Sequence, residues 1–258
     1  MEKKLIIFDI DGTLYDNHNK CIHQSTIDCV KKLYENGHDL VIATGRSYPM
    51  IANIDILKPY INTYILINGQ IILRNGETIY KENIDIEKLE KLLQDFNDAG
   101  ITYGCISSTG ERLSDVDSFV NHAYTTFCLK DPIVDPKYYL KEDIYQIWCF
   151  GDGEQVKKFI KEHPDFEFMA WGGTGYDVLL KGRNKARTIK ILREYLKIDN
   201  KDVIAIGDGY NDISMMKEVG YGIAMGNGND ELKKNAKYIT DDIDKDGLYN
   251  AFKKLGLI

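Results

Sequence analysis

The sequence has no apolar run long enough to span a membrane, no internal repeat and no low-complexity segment. Its five cysteines form no CxxC pair and its five histidines show no metal-ligand spacing, which argues against a disulfide scaffold and a zinc site. Asp9 and Asp11 interrupt the short apolar run near the N-terminus too early for a signal peptide. These absences predict a cytoplasmic protein with no membrane partner.

Positive charge is also scarce. The 258 residues include 33 lysines and arginines against 40 aspartates and glutamates, a formal net charge of −7. An acidic chain binds nucleic acid poorly without specific contacts, so we expect no nucleic-acid partner. A small anionic ligand is compatible with this charge, because a bound cation reverses the field within one cleft. The hydrophobic fraction of 43% predicts a globular protein with a substantial core, while the oligomeric state stays unknown.

The two outer stretches of the chain alternate strand and helix patterns. Strands are predicted over residues 5–10, 38–44 and 63–69, a helix is predicted over 24–36, and the alternation returns after residue 183. This rhythm predicts an α/β fold with a parallel sheet and right-handed crossovers. Ser25 or Thr26 is the predicted N-cap of the first helix, and Asn75-Gly76 predicts a hairpin turn.

The middle of the chain has a different pattern, which predicts a separate α+β domain inserted into the α/β domain. Its predicted helices include residues 86–99 and 114–127, and a loop at 129–139 holds two of the five prolines. The predicted boundaries are 1–81 and 182–258 for the two segments of the core and 82–181 for the inserted domain.

Four segments at predicted strand ends or helix starts carry polar side chains. They are Asp9-Ile10-Asp11-Gly12-Thr13, Thr44-Gly45-Arg46, Lys185, and Gly207-Asp208-Gly209-Tyr210-Asn211-Asp212. Ligands of doubly wound sheets bind beyond the carboxyl ends of the strands, so we expect these segments to meet at one edge of the sheet.

The acids of this set, Asp9, Asp11, Asp208 and Asp212, would repel one another unless a cation lies between them. Oxygen ligands without histidine or cysteine favour Mg²⁺, which also takes phosphate oxygens as ligands.

The rest of the set supplies groups that bind phosphate. Glycines allow backbone N–H groups to approach an anion, and Thr44, Lys185 and Asn211 supply a hydroxyl, a cation and an amide. Together with a divalent cation, these groups predict phosphoryl transfer, which depends on positioning and charge neutralisation.

The first two acids predict a division of roles. Asp9, at the end of a strand, is placed to attack phosphorus and form an aspartyl phosphate, and Asp11 is placed to protonate the leaving oxygen and then activate water. Transfer to water would make the protein a phosphatase, and transfer to a sugar hydroxyl would make it a phosphomutase. A phosphate-binding module of the same fold without turnover is a third alternative.

The motifs FDIDGTL, ATGR, KGRNKARTIKIL, IAIGDGYNDISMM and AMGNG together resemble the haloacid dehalogenase (HAD) superfamily, and they are similar to its Cof-type phosphatases. The resemblance implies a Rossmann-like core, an inserted α+β cap of the C2B type, and Mg²⁺-dependent hydrolysis of a small phosphorylated substrate such as a sugar phosphate. The acid at position 11 favours phosphatases and mutases over dehalogenases and ion-pumping ATPases of that superfamily.

The resemblance also implies roles for individual residues. Asp9 would be the nucleophile, Asp11 the general acid and base, and Lys185 a catalytic and phosphate-binding cation, preferred over Lys181 because the family's lysine lies in the NKA triplet. The predicted substrate- or phosphate-binding residues are Ile10, Thr44, Gly45, Lys185 and Asn211. Arg46 is added from its position alone, as a contact to the substrate or the cap. The predicted Mg²⁺ ligands are Asp9, Asp11 through its backbone carbonyl, Asp208, and Asp212 in or near the same coordination shell.

Overall fold

The computed structural model describes residues 2–126, 131–171, 173 and 175–258. The predicted features at Phe127, Cys128 and residues 129–130 lie outside this part of the chain. The chain divides into two compact units, here called the core unit and the inserted unit. The core unit comprises Met1–Arg46, Met50–Lys81 and Asn184–Ile258, and the inserted unit comprises Ser47–Pro49 and Glu82–Arg183.

The strands are, in chain order, β1 (Leu5–Phe8), β2 (Asp39–Ala43), β3 (Thr63–Leu66), β4 (Ile71–Arg74), β5 (Glu77–Lys81), β6 (Thr102–Ser107), β7 (Gly110–Leu113), β8 (Gln146–Phe150), β9 (Phe166–Ala170), β10 (Gly175–Leu180), β11 (Val203–Gly207), β12 (Tyr221–Ala224) and β13 (Tyr238–Ile239).

The α-helices are α1 (Gln24–Glu35), α2 (Ile86–Asp98), α3 (Ser118–Thr126), α4 (Gly153–Glu162), α5 (Lys185–Leu196), α6 (Ile213–Glu218), α7 (Asp230–Asn235) and α8 (Gly247–Lys254), and short 3₁₀ turns join several of them.

The core unit is built on one sheet with the strand order β13-β12-β11-β1-β2-β3-β4-β5. The strands from β13 to β3 are parallel, and β1 lies between β11 and β2. Alternate side chains of β1 point to opposite faces: Leu5 and Ile7 join a cluster with Ile189 of α5, whereas the ring of Phe8 packs on Phe252 of α8 at 5.8 Å. Helices cover both faces, which explains why the strands are apolar throughout. The predicted α/β fold class is confirmed.

The antiparallel edge of this sheet contains the predicted hairpin. β4 pairs antiparallel with β3 and with β5. Asn75 and Gly76 connect β4 to β5 with φ angles of 52° and 82°. Two consecutive positive φ angles are those of a type I′ turn, whose twist matches the flanking strands. The hairpin prediction is therefore confirmed.

The predicted N-cap of α1 is wrong. The helix begins at Gln24, so Ser25 and Thr26 lie in its first turn and His23 occupies the N-cap position without a side-chain capping bond. Thr26 is buried, whereas the His23 ring lies 2.9 Å from the carboxylate of Asp16. The helix start therefore depends on a neighbouring loop, which the local pattern of capping residues does not reveal.

The inserted unit is an antiparallel sheet with the strand order β7-β6-β8-β10-β9. Helices α2 and α4 contribute Leu92, Phe96 and Phe159 to a core shared with Ile147 and Val178 of the sheet. Asp85 and Asp152 cap the starts of α2 and α4 by accepting backbone N–H groups. Strand β7 was not predicted, because two of its four residues are charged and its apolar pattern is short.

Within the described parts of the chain, every helix falls short of the length and apolar character that a membrane crossing requires.

A tight loop before α1 is organised around the buried carboxylate of Asp16. Its Oδ1 accepts the backbone N–H groups of His18 and Asn19 at 2.9 and 3.0 Å, and its Oδ2 contacts the Asn19 amide and the His23 ring at 2.8 and 2.9 Å. Burial acts to raise the pKa of Asp16, but these hydrogen bonds outweigh it and lower the pKa to about 2. The carboxylate therefore stabilises the fold above its ordinary pKa of 3.8, and this contribution disappears as the pH falls toward 2.

We predict that Asp16→Asn lowers the free energy of unfolding by about 1–2 kcal/mol at pH 7, because the amide replaces one acceptor oxygen by a donor. The difference from the wild type should shrink between pH 4 and pH 2.5, where the wild-type carboxylate itself becomes protonated. Urea unfolding of both proteins across this pH range measures the effect. A difference that stays constant down to pH 2.5 would contradict the assigned cause.

Candidate active site

The first motif forms a tight turn directly after β1. The backbone N–H of Asp9 donates to the carbonyl of Ile206 in β11 at 3.0 Å, which continues the strand pairing by one residue. The carbonyl of Ile10 then accepts the N–H groups of residues 13–15 at 2.8–3.2 Å, so the chain reverses direction immediately. Asp9 therefore stays at the end of the strand, and Asp11 lies on the turn beyond it.

Three acids meet where β1 and β11 end. Asp9, Asp208 and Asp212 each offer a carboxylate oxygen, and these oxygens lie within 4.8 Å of one another. Burial, followed by the charge of Asp212, raises the pKa of Asp9 even though Lys185 acts in the opposite direction. The pKa of Asp208 is raised by burial and by the charges of Asp9 and Asp212. This cluster concentrates negative charge in a place where a cation would be stabilised.

Lys185, the first residue of α5, extends a fully buried side chain between two of these acids. Its Nζ donates to Asp9 Oδ1 and to Asp212 Oδ1, both at 2.6 Å. Burial acts to lower the pKa of this ammonium group, but the charges of Asp212 and Asp9 outweigh it and raise the pKa. The side chain of Asn184 caps α5 by accepting the N–H of Arg187 at 3.1 Å. This cap fixes the start of the helix and therefore the position of Lys185.

Both oxygens of Asp212 are used as hydrogen-bond acceptors. Oδ1 accepts from Lys185, and Oδ2 accepts the backbone N–H groups of Asp208 and Gly209 at 3.0 and 2.9 Å. The side chain is completely buried. Asp212 therefore holds the loop that carries Asp208, and its predicted place in or near a metal coordination shell stays a prediction.

The carboxylate of Asp11 lies against the guanidinium of Arg46. Arg46 Nε donates to Asp11 Oδ2 at 2.9 Å and Nη2 donates to Oδ1 at 2.6 Å, while Nη1 donates to the carbonyl of Met50 at 3.0 Å. Such a two-point contact fixes the orientation of both groups. The structure therefore separates Asp11, whose side chain is 37% exposed, from the buried acid cluster. Phosphate binding by Arg46 stays a prediction.

The second and fourth motifs meet through Asn68, a residue outside the four predicted segments. Thr44 is buried, and its Oγ1 accepts the backbone N–H of Arg46 at 3.2 Å. Asn211 Nδ2 donates to the side-chain oxygen of Asn68 at 2.9 Å, and a Cβ at Gly45 would lie 3.2 Å from the Asn68 amide nitrogen. The dipeptide Asn68-Gly69, which favours a turn and ends a predicted strand, was the available signal.

Further residues that received no role from the sequence hold Asp208 in place. Thr13 Oγ1 donates to Asp208 Oδ1 at 3.2 Å, and Asn229 donates to the Asp208 carbonyl through both its backbone N–H and its amide at 3.1 Å. Gly12 has a φ of +74°, and a Cβ there would lie 2.1 Å from Asp208 Oδ2. Glycine is therefore required by both the turn and the close approach.

Comparison with known proteins identifies the family. The family model described as haloacid dehalogenase-like hydrolase matches residues 6–252. The chain belongs to this family. A Bacillus subtilis protein named "Putative phosphatase YkrA" is 34% identical over the full length of both chains.

Two solved structures of HAD phosphatases are similar throughout. BT1666 from Bacteroides thetaiotaomicron is 28% identical with a TM-score of 0.91, over 99% of this chain and 96% of its own. The subclass IIB sugar phosphatase BT4131 is 29% identical with a TM-score of 0.91, over 99% of this chain and all of its own. The predicted relationship to the superfamily is confirmed, and so is the predicted enzyme class, a HAD-like phosphatase.

We predict opposite effects on stability for two Asp→Asn changes in the acid cluster. Asp212→Asn should lower the free energy of unfolding by about 3–5 kcal/mol. It removes one of the two negative charges that pair with Lys185, and it weakens the hydrogen bonds that hold the Asp208 loop. Asp208→Asn should raise the stability of the metal-free protein, since it removes one of three mutually repelling carboxylates and keeps an acceptor for Thr13.

Urea unfolding in EDTA at pH 7 compares the two variants with the wild type. Each serves as the matched control for the other, because both replace a carboxylate by an amide in the same cluster. Equal destabilisation by both changes would contradict the different roles assigned to Asp208 and Asp212.

Proposed function

We propose that this protein is a Mg²⁺-dependent phosphatase that hydrolyses a small phosphorylated metabolite, of the sugar phosphate type, through an aspartyl phosphate on Asp9. The observation that carries the proposal is the buried contact of Lys185 with Asp9 and Asp212, with a carboxylate oxygen of Asp208 within 4.8 Å. The similarity to the sugar phosphatase BT4131 over the whole chain supports the substrate class.

The chemistry of the donor groups fits Mg²⁺. The cluster offers carboxylate oxygens and includes no nitrogen or sulfur ligand among the described residues. Asp9 and Asp208, with the backbone carbonyl of Asp11, would hold the ion, and Asp212 adjoins them while it fixes the loop of Asp208. The bound ion would supply positive charge to the phosphate oxygens and lower the repulsion between the acids.

The phosphate group would be held by neutral and cationic donors around Asp9. The hydroxyl of Thr44 accepts the N–H of Arg46, so its own hydrogen can be donated to a phosphate oxygen. Lys185 and the amide of Asn211 supply two further donors. The backbone N–H groups of Ile10 and Gly45 are the remaining members of the proposed phosphate site.

In the first chemical step, a carboxylate oxygen of Asp9 attacks phosphorus and the bond from phosphorus to the leaving oxygen breaks. Asp11, in its protonated form, gives its proton to that leaving oxygen, and the alcohol departs. Lys185 keeps the Asp9 carboxylate in position for the attack, since it holds Oδ1 at 2.6 Å.

In the second step, a water molecule attacks phosphorus, the bond to Asp9 breaks and inorganic phosphate forms. Asp11 takes the proton of this water and returns to its starting state. Arg46 holds both Asp11 oxygens, so this contact has to loosen when Asp11 carries a proton. Between the two steps, when Asp11 has given up its proton, Arg46 sets the position of its carboxylate.

We predict that Asp9→Asn lowers kcat for p-nitrophenyl phosphate by at least about 10³-fold, because an amide cannot serve as the nucleophile. Circular dichroism and urea unfolding should show a folded protein. The exposed Asp28 on α1 offers a matched control, and Asp28→Asn should keep the wild-type kcat. Unchanged turnover in the Asp9→Asn variant would refute the proposed mechanism.

We also predict that EDTA abolishes turnover and that added Mg²⁺ restores it, across a panel of phosphorylated sugars and other small phosphate esters. Release of inorganic phosphate measures hydrolysis directly. Interconversion of sugar phosphate isomers without phosphate release would show a phosphomutase instead. Full activity in EDTA would contradict the role assigned to the acid cluster.

A further inference from the structure

The loop after β3 has an unusual backbone conformation at the edge where the site lies. Ile67, Asn68 and Gly69 have consecutive φ angles of 52°, 51° and 99°. A positive φ is rare for a β-branched residue such as isoleucine, and residues of this kind persist where the surrounding structure holds them. Asn68 is nevertheless almost completely buried, with an exposed fraction of 1%.

Hydrogen bonds tie this loop to the second motif. The N–H of Ile67 donates to the carbonyl of Arg46 at 3.1 Å, and the N–H of Asn68 donates to the carbonyl of Thr44 at 2.9 Å. The Asn68 amide lies directly over Gly45, where a Cβ would come within 3.2 Å of its nitrogen. The absence of a side chain at Gly45 therefore allows the amide to occupy this position.

The same loop contacts the third and fourth motifs. The hydroxyl of Thr188 in α5, one turn after Lys185, donates to the carbonyl of Gly69. The side-chain oxygen of Asn68 accepts from Asn211 Nδ2 at 2.9 Å. Three motifs that are far apart in the sequence thus converge on three consecutive residues.

The contact between the two amides has a chemical consequence. An asparagine amide has two N–H donors on one side and an acceptor oxygen on the other, and rotation by 180° exchanges them. An acceptor placed against Asn211 Nδ2 fixes which end faces Asn68. The second N–H of Asn211 is then kept available for a phosphate oxygen.

We propose that Asn68 is a positioning residue that fixes the amide orientation of Asn211 and its distance from the Thr44-Gly45 segment, so that both bind the same phosphate group. This inference rests on the proposed function, because it assigns a second layer of support to the phosphate site. Asn68 acts through Asn211 and does not itself contact the substrate.

The test replaces Asn68 without forcing the backbone. Asn68→Gly removes the amide and tolerates a positive φ, whereas Asn68→Asp tolerates the same φ and keeps an acceptor oxygen for Asn211. Asn75 has a φ of 52° in the exposed hairpin turn, so Asn75→Gly is a matched control for the same change away from the site. We expect Asn75→Gly to keep the wild-type kcat and KM.

A double-mutant cycle then separates positioning from a general loss of structure. With p-nitrophenyl phosphate and Mg²⁺, Asn68→Gly should lower kcat/KM about tenfold, the size expected when one orienting hydrogen bond is lost. Asn211→Ala should lower kcat/KM in the wild type and in the Asn68→Asp variant, but have little further effect in the Asn68→Gly variant. Each background is measured with and without Asn211→Ala. The charge added by Asn68→Asp is present in both proteins of its pair, so its own effect on kcat/KM cancels in the ratio.

Equal effects of Asn211→Ala in all three backgrounds would overturn the proposal, and so would wild-type kinetics in Asn68→Gly. If Asn68→Gly does not fold, the wild type and the Asn68→Asp variant are compared instead. The question is then whether Asn211→Ala still lowers kcat/KM when position 68 offers an acceptor oxygen of a different side chain. A loss of that effect in the folded Asn68→Asp protein would count against the proposal.

Failure of the proposed function can be recognised separately. If the wild type hydrolyses no phosphate ester, the same cycle is measured by calorimetry on the affinity for inorganic phosphate in the presence of Mg²⁺. Coupling between positions 68 and 211 in that affinity would support the inference without turnover. A wild-type protein that binds no phosphate would overturn both proposals.

Discussion

The rest of the site depends on one interaction, the contact of the buried Lys185 ammonium group with two carboxylates. A charge removed from water is costly unless it is paired and hydrogen-bonded, and Lys185 has two carboxylate partners at 2.6 Å. One partner is Asp9, which lies 176 residues earlier in the chain, and the other is Asp212. The contact therefore joins the end of β1, the start of α5 and the loop after β11. A metal-free cluster of acids would otherwise push these three elements apart.

The four acids of the motifs have similar chemistry but different environments. Asp9 is buried and held by Lys185, and Asp208 is positioned by Thr13 and by its own backbone contacts. Asp212 uses both oxygens inside the protein, whereas Asp11 is partly exposed beside a guanidinium group. The proposed division of roles between a nucleophile, an acid and base, metal ligands and a structural anchor is consistent with these environments, because neighbours and burial decide what a carboxylate can do.

Local sequence patterns predicted much of the fold. Continuous apolar runs predicted the parallel strands, since those strands are covered by helices on both faces, and Asn75-Gly76 predicted the hairpin through its backbone preferences. Strand β7 was missed because its charged residues give it little apolar periodicity. The start of α1 at Gln24 was predicted, but its N-cap was misassigned: His23 occupies that position without a capping bond, and its ring contacts a carboxylate seven residues earlier.

The sequence by itself determined the family, the α/β core and the four motifs around which the candidate site is built, because short motifs at strand ends keep their chemistry and their order. The tertiary structure decided which of those residues contact one another. It paired Arg46 with Asp11, turned both oxygens of Asp212 inward, and placed Asn68 against Asn211, 143 residues away in the chain. Contacts of this kind depend on how separate strands and loops pack and on the direction in which each polar side chain points. Neither property is recorded in the local pattern of residues.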